Sequence, residues 1–243
     1  MEKFNQKKLL FTGVSGRLGR EMKKLLPKAL YPTSMVFNIT EFGQMEKYIK
    51  SKKPKIIIHA AAFTSPPLIE KQPEKGIGIN IIGTANLAIL CIKYNIKLVY
   101  ICTDYVFNGE KGNYLEEDQV LPVNRYAWSK LGGECSVRML PEGQFLTIRT
   151  SFGEKIFPYE KAFVDHFTSR ESVDIIAKKI VKAIKDKVVG VLHIGYIRRS
   201  VFSCAKSLGG RKIIGKISIK DVNFVVPKDT SLNTDRYRKL CEK

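Results

Sequence analysis

Cysteine pairing is absent from this 243-residue chain: Cys91, Cys102, Cys135, Cys204 and Cys241 fall at no disulfide or metal-ligand spacing, and several lie inside apolar runs. That pattern implies a reducing compartment and argues against a zinc centre. The three histidines, His59, His166 and His193, also lack ligand spacing and read as structural, so no metal site is expected. No apolar run approaches the length of a membrane span, and Met1 to Lys8 is polar with only a short apolar stretch after it. The expectation is a cytoplasmic protein with neither membrane segment nor secretory signal. Low-complexity tracts and repeats are missing too. With 44% hydrophobic and 27% charged residues, the composition is that of a folded globular chain and excludes disordered and fibrous classes.

Acidic residues are scarce: 23 Asp and Glu stand against 42 Lys and Arg, a formal net charge of +19. Such a surface attracts anions from every side. The basic residues are spread along the chain, without an arginine-rich block or an aromatic RNA-binding signature, so no specific nucleic-acid partner is expected.

What is present is an alternation of short apolar runs with longer helical patterns. Strands are expected at Lys8 to Phe11, Ala29 to Tyr31, Lys55 to Ala60, Lys97 to Cys102, Phe145 to Arg149 and Val189 to Ile194. Helices are expected from about Arg17 until Pro27, then at Glu41 to Ser51, Glu74 to Tyr94, Asn124 to Met139 and, capped by Ser172, to about Ile184. Nearly all-apolar strands are those buried on both faces of a parallel sheet. The fold class is therefore α/β: a Rossmann-type doubly wound parallel sheet over residues 1–150, with a small C-terminal substrate-binding lobe over residues 151–243, part of which packs back on the sheet. Ligands of such a sheet bind at the carboxyl ends of the strands.

Two motifs fall at such ends. Gly13-Val14-Ser15-Gly16-Arg17-Leu18-Gly19 follows a strand and opens a helix, the context in which backbone amides cradle a dinucleotide's diphosphate. No Asp or Glu occurs between Glu21 and Glu41, where an NAD-preferring site presents a carboxylate to the ribose; with Arg17 and Arg20 beside the glycines, NADPH is favoured and NADH possible. Tyr126 and Lys130 lie four apart on one helix face. About one such pair is expected by chance, and Tyr48 with Lys52 is another. Position separates them, because the helix carrying Tyr126 would pack beside the strand that ends in Thr103-Asp104. An ammonium about 5 Å from a phenol, at an effective dielectric of about 20, supplies about 3 kcal/mol and would lower the tyrosine's pKa toward the working range. Tyr126 would then give a proton to a carbonyl oxygen, Lys130 would stabilise the phenolate and bind the nicotinamide ribose, and Thr103 would hold the carbonyl.

Together with His59-Ala60-Ala61-Ala62-Phe63-Thr64, Thr103-Asp104-Tyr105-Val106-Phe107-Asn108-Gly109, Asn38-Ile39-Thr40 and Leu232-Asn233-Thr234, these motifs make the chain resemble the extended short-chain dehydrogenases, and more narrowly the dTDP-4-dehydrorhamnose reductase family. The resemblance covers nearly the whole length. It implies Thr103, Tyr126 and Lys130 as catalytic residues. It implies cofactor contacts from Gly13, Ser15, Gly16, Arg17, Leu18, Gly19, Asn38, Ile39, Ala60, Ala61, Ala62, Thr64, Tyr126 and Lys130, and substrate contacts from Thr103, Asp104 and Phe152, with core packing the alternative for Phe152. Asn80 matches a helix asparagine that serves either a proton relay or helix packing.

The implied function is NADPH-dependent reduction of a nucleotide-linked 4-keto-6-deoxyhexose. A UDP- or GDP-sugar reductase or epimerase, or a non-catalytic subunit with a reductase-like fold, is the alternative. The implied partners are a nucleotide sugar and a second copy of the chain. Departures are Asn for Asp at Asn38 and Asn233, a shortened first helix, and a mostly missing helical segment after Arg149-Thr150-Ser151, from which a trimmed substrate pocket and weak substrate binding are expected.

Overall fold

Five of the apolar runs pair side by side in a parallel sheet: β1 (Leu9–Thr12), β2 (Ile56–His59), β3 (Lys97–Thr103), β4 (Phe145–Thr150) and β5 (Gly190–Ile194), in that spatial order. The structure is a computed structural model that describes residues 4–208 and 213–241. Among the described residues, the helices of seven residues or more are α1 (Arg17–Leu25), α2 (Phe42–Lys52), α3 (Pro73–Lys93), α4 (Arg125–Arg138), α5 (Val173–Lys185), α6 (Val201–Leu208) and α7 (Asp235–Cys241). Successive strand side chains face opposite ways, so Leu9 and Phe11 enter the layer under α1, α5 and α7, while Leu10 enters the layer under α2, α3 and α4. Burial on both sides accounts for the near-continuous apolar strands.

The expected strand at Ala29 to Tyr31 is reduced to one parallel bridge, from Leu10 to Leu30. Phe11 N donates to Leu30 O at 2.9 Å and Leu30 N to Leu9 O at 2.8 Å. Pro32 follows without an N–H to continue the ladder. Even so, Leu30 lies on the opposite edge of β1 from β2, so the winding reverses at β1 and leaves a crevice at its carboxyl end, where doubly wound sheets bind ligands.

Helix α3 corrects the expectation that no run could span a membrane, since its 21 residues are long and apolar enough by length and composition. It lies along the sheet with Leu87, Leu90 and Cys91 fully buried, which gives its apolar side a packing role. Its first half, Gly76–Ile82, is wound as a π-helix, a local widening that recurs at functional sites.

Beyond β4 the chain divides its length between sheet and lobe. Helix α5, β5 and α7 return to the main core, and Ser172 stands at the N-cap of α5 without making a side-chain capping bond. The rest forms small pairings: Phe152–Gly153 with Glu171–Ser172, Lys161–Phe163 with Gly215–Ile217, and Phe167–Thr168 with Arg199–Ser200. A satellite cluster of Phe157, Ala162, Val201 and Ala205 holds this lobe and seats α6.

Candidate active site

The turn between β1 and α1 is shaped by what a side chain would strike. Gly13 has φ +83°, and a Cβ on it would lie 2.7 Å from Ala61 N and 2.8 Å from Ala60 O. The Ala60 to Ala62 turn after β2 thus passes directly over the glycine turn, and only glycine leaves room. Gly13→Ala should cost at least about 1 to 3 kcal/mol from backbone strain alone, to be read by urea denaturation; unchanged stability would contradict the clash. Helix α1 begins at an N-cap, Gly16, that supplies no capping side chain. Its first N–H groups have no helical partner and sit at the positive end of the helix, a ready anion site.

Beneath this turn runs a buried hydrogen-bond chain that fixes a histidine tautomer. Thr84 Oγ1 donates to Asn80 O at 2.7 Å, so it accepts from His59 Nε2, 3.0 Å away. His59 Nδ1 is then the acceptor for Thr12 Oγ1 at 2.8 Å, and Thr12 Oγ1 in turn receives Ala61 N at 3.3 Å. Burial, with Lys130 nearby, holds the His59 pKa down to about 3, so the ring is neutral and structural.

The expected cofactor residues divide into those that reach the crevice and those that do not. Ser15 and Thr64 are exposed, and Ala60, Ala61 and Ala62 are half-buried along the crevice. Leu18 is buried in the core under α1, and Ile39 is buried on the other side of the sheet, so their side chains pack instead of facing a ligand. Asn38 Oδ1 accepts from Thr40 N at 3.1 Å and Thr40 Oγ1 at 2.9 Å, which turns the chain before α2. Tyr31, where a ribose-binding carboxylate would stand, donates its hydroxyl to Met22 O at 2.8 Å.

Thr103 ends β3, and Tyr126 and Lys130 occupy the first turns of α4, whose N-cap Asn124 accepts from Ala127 N at 2.9 Å. Helix α4 brings the Tyr126 ring up to the end of β3, 6.3 Å centroid to centroid from Tyr105, where Thr103 bears on its phenol. Lys130 is buried with Nζ 4.2 Å from the centroid of the Tyr100 ring, and Tyr100 OH donates to Lys130 O at 2.9 Å. The expected lowering of the Tyr126 pKa is not found. Burial raises it, as do the neighbouring Cys102, Asp104 and Tyr105, against the Thr103 hydrogen bond. Lys130 yields instead: burial brings its pKa down to about 8, with Cys102 and Glu134 opposing. Tyr48, the chance match, packs edge-on against Phe37 with ring centroids 5.4 Å apart.

Asp104, expected at the substrate, is fully occupied by the protein. Its Oδ2 accepts from Thr168 Oγ1 at 2.9 Å and Thr230 Oγ1 at 2.8 Å, and its Oδ1 from Thr103 Oγ1 at 3.2 Å. The carboxylate clamps the lobe to the end of β3 and steers the Thr103 hydroxyl. Phe152 packs against the core under α1, the alternative allowed for it.

Asn80, already singled out by its motif, and Gly133 and Glu134, which no motif marks, help to hold the site. Asn80 accepts from Phe63 N at 2.8 Å and donates to Phe63 O at 2.9 Å and Ser129 Oγ at 2.8 Å, tying the turn after β2 to α4. Gly133 permits that approach, because a Cβ there would stand 2.6 Å from both Asn80 O and Tyr100 OH. One turn beyond Lys130, the buried Glu134 receives Arg149 at 2.6 Å and 3.2 Å through both carboxylate oxygens. Only the sequence spacing of Glu134 from Lys130 hinted at it.

The crevice fits a dinucleotide: an uncapped helix start for a diphosphate, a half-buried alanine turn beside it, and at the next strand end Thr103 with the helix that carries Tyr126 and Lys130. A family model described as RmlD substrate binding domain matches residues 7–190. The chain belongs to this family. Among relatives of the RmlD-type chain, dTDP-4-dehydrorhamnose reductase of Aggregatibacter actinomycetemcomitans is 33% identical over 180 residues, covering 71% of this chain and 61% of that protein. Methionine adenosyltransferase 2 subunit beta of Xenopus laevis is 31% identical over 148 residues, covering 56% of this chain and 44% of that one. The chain thus spans about half of the curated relatives' length. The crystal structure of dTDP-4-dehydrorhamnose reductase from Bacillus anthracis in complex with NADP superposes with TM-score 0.86 at 27% identity, over 95% of this chain and 92% of that one. The doubly wound architecture is common to both.

Proposed function

We propose that this protein is an NADPH-dependent oxidoreductase that reduces a nucleotide-linked 4-keto-6-deoxyhexose of the dTDP-4-dehydrorhamnose type, with NADH as a weaker substitute. The observation that supports this is that β3 ends at Thr103 and packs against α4, whose first turns carry Tyr126 and Lys130. The reductase relatives and the NADP-bound neighbour support the same reading.

A nicotinamide held at this crevice would supply the hydride for the carbonyl carbon. The protein residues manage the proton. A buried phenol with a raised pKa remains protonated across the neutral range, so Tyr126 is loaded as the acid and donates to the carbonyl oxygen as charge develops there. Thr103 would fix that oxygen beside the phenol by turning its one hydroxyl proton from Asp104 Oδ1 to the carbonyl. Lys130 offsets the negative charge left on Tyr126, which only its protonated form can do. With its pKa held down to about 8, Lys130 carries that charge below this pH and loses it above. Turnover should therefore fall as pH rises through about 8; a rate that is flat from about pH 7 to about pH 10 would contradict the role given to Lys130.

The substrate lobe is the shortened part of the site. The segment after β4 runs as short strands, so the nucleotide sugar would be held by few walls, and we propose cofactor binding of ordinary strength with weak substrate binding. A second reading, a binding subunit without turnover, draws on the methionine adenosyltransferase 2 subunit beta relative. The discriminating experiment mixes the protein with NADPH and a panel of 4-keto sugar nucleotides and follows loss of nicotinamide absorbance. Consumption with a dTDP-linked sugar supports the reductase, and cofactor binding without consumption of any panel member supports the subunit.

A further inference from the structure

The anion site at the start of α1 already meets a carboxylate from the protein itself. Glu154, from the segment that leaves the short strand Phe152–Gly153, accepts from Arg17 Nε at 2.9 Å and from Arg20 Nη2 at 3.3 Å, both through Oε1. These contacts join residues 137 and 134 apart in sequence. Arg17 and Arg20 stand one turn apart at the uncapped N-terminus of α1, and Arg20 also donates to Ser15 O at 3.4 Å. The next residue, Lys155, reaches Asp174 of α5 at 3.4 Å and Glu21 of α1 at 3.8 Å. The segment thus lies as a strap across α1 and α5, over a cavity of about 400 Å³ lined in part by Arg17, Arg20, Glu154 and Ile156.

For stability these pairs matter little. The Glu154 side chain is 36% exposed and those of Arg17 and Arg20 are 43% and 56% exposed, the regime in which ion pairs contribute little to folding. For binding they matter more, because the carboxylate holds the guanidinium groups nearest the place where a doubly wound fold seats a diphosphate. We infer that Glu154 is an affinity-determining residue that competes with the dinucleotide's diphosphate for Arg17 and Arg20, so that the strap must release before the cofactor is fully seated. This rests on the reading of the glycine turn as a dinucleotide site. The step is an exchange of ionic hydrogen bonds; no covalent bond changes.

Glu154→Gln keeps the shape of the side chain and removes the competing charge. By calorimetry it should bind both NADPH and NADH roughly three- to tenfold more tightly than the unaltered protein, with an unchanged melting temperature. The gain should vanish when the same substitution is made in an Arg17→Ala, Arg20→Ala background, since no cation remains to compete for. A gain that persists there, or equal affinity of Glu154→Gln and the unaltered protein, overturns the inference while leaving dinucleotide binding intact. A gain confined to NADPH overturns the assignment to the diphosphate. Failure of every form to bind either dinucleotide overturns the cofactor reading and this inference with it.

Discussion

Tyr126→Phe should lower turnover by about 10²- to 10⁴-fold while NADPH binding changes little. In the proposed mechanism the phenol is the acid for the substrate oxygen, whereas the diphosphate would be held by the glycine turn and the start of α1, on other elements. Removing the hydroxyl takes away the proton donor and leaves α4 in place, because that helix is set by the Asn124 cap, the Asn80 to Ser129 bond and the Glu134 to Arg149 pair. Steady-state kinetics with calorimetry on the same preparation separates the two effects. The control is Tyr48→Phe, whose ring packs against Phe37 away from the crevice and whose loss of a hydroxyl should leave the rate unchanged. Normal turnover in Tyr126→Phe, or a large loss in Tyr48→Phe, would refute the assignment.

Breaking the buried ion pair under α4 should have the largest effect on stability. The side chains of Arg149 and Glu134 are 1% and 0% exposed, and Arg149 also donates to Glu116 O at 3.2 Å. Removing one partner leaves the other charge without compensation in the interior, so Glu134→Leu or Arg149→Met should each cost about 3 to 5 kcal/mol in chemical denaturation. Replacing both at once removes both desolvation costs, and the double variant should be far closer to the unaltered protein than either single change predicts. Additive losses would show that the pair contributes by shape alone. Since Glu134 also opposes the lowering of the Lys130 pKa, its loss should move the alkaline fall in activity to still lower pH.

The parts of this protein that sequence makes legible are those governed by local periodicity. All-apolar runs such as Lys97 to Cys102 declared buried parallel strands, and the Asn124 cap declared the start of α4. Ala29 to Tyr31 looked equally strand-like, yet one bridge is all that forms, because Pro32 ends the ladder. The approach of α4 to the Thr103 end of β3 is legible because topology brings a strand end and the following helix together. What the site rests on is not. Asp104 is satisfied by hydroxyls 64 and 126 residues away, and Arg17 by a carboxylate 137 residues away, so no local pattern could reveal that one is a clamp and the other already paired. The direction of the Tyr126 pKa is hidden from sequence for a similar reason: spacing offers a lysine's charge, but the burial and the neighbours Cys102, Asp104 and Tyr105 that raise it belong to tertiary structure.

The claim that this crevice transfers hydride to a sugar-nucleotide carbonyl is tested most directly by isotope transfer. The protein is incubated with dTDP-4-dehydrorhamnose and NADPH deuterated at its transferable nicotinamide hydrogen, and the sugar is recovered for mass spectrometry and proton resonance spectra. One deuterium is expected on the former carbonyl carbon, and none when Tyr126→Phe is used over the same interval. Recovery of the unlabelled keto sugar from the unaltered protein, with NADPH bound and unconsumed, would contradict it.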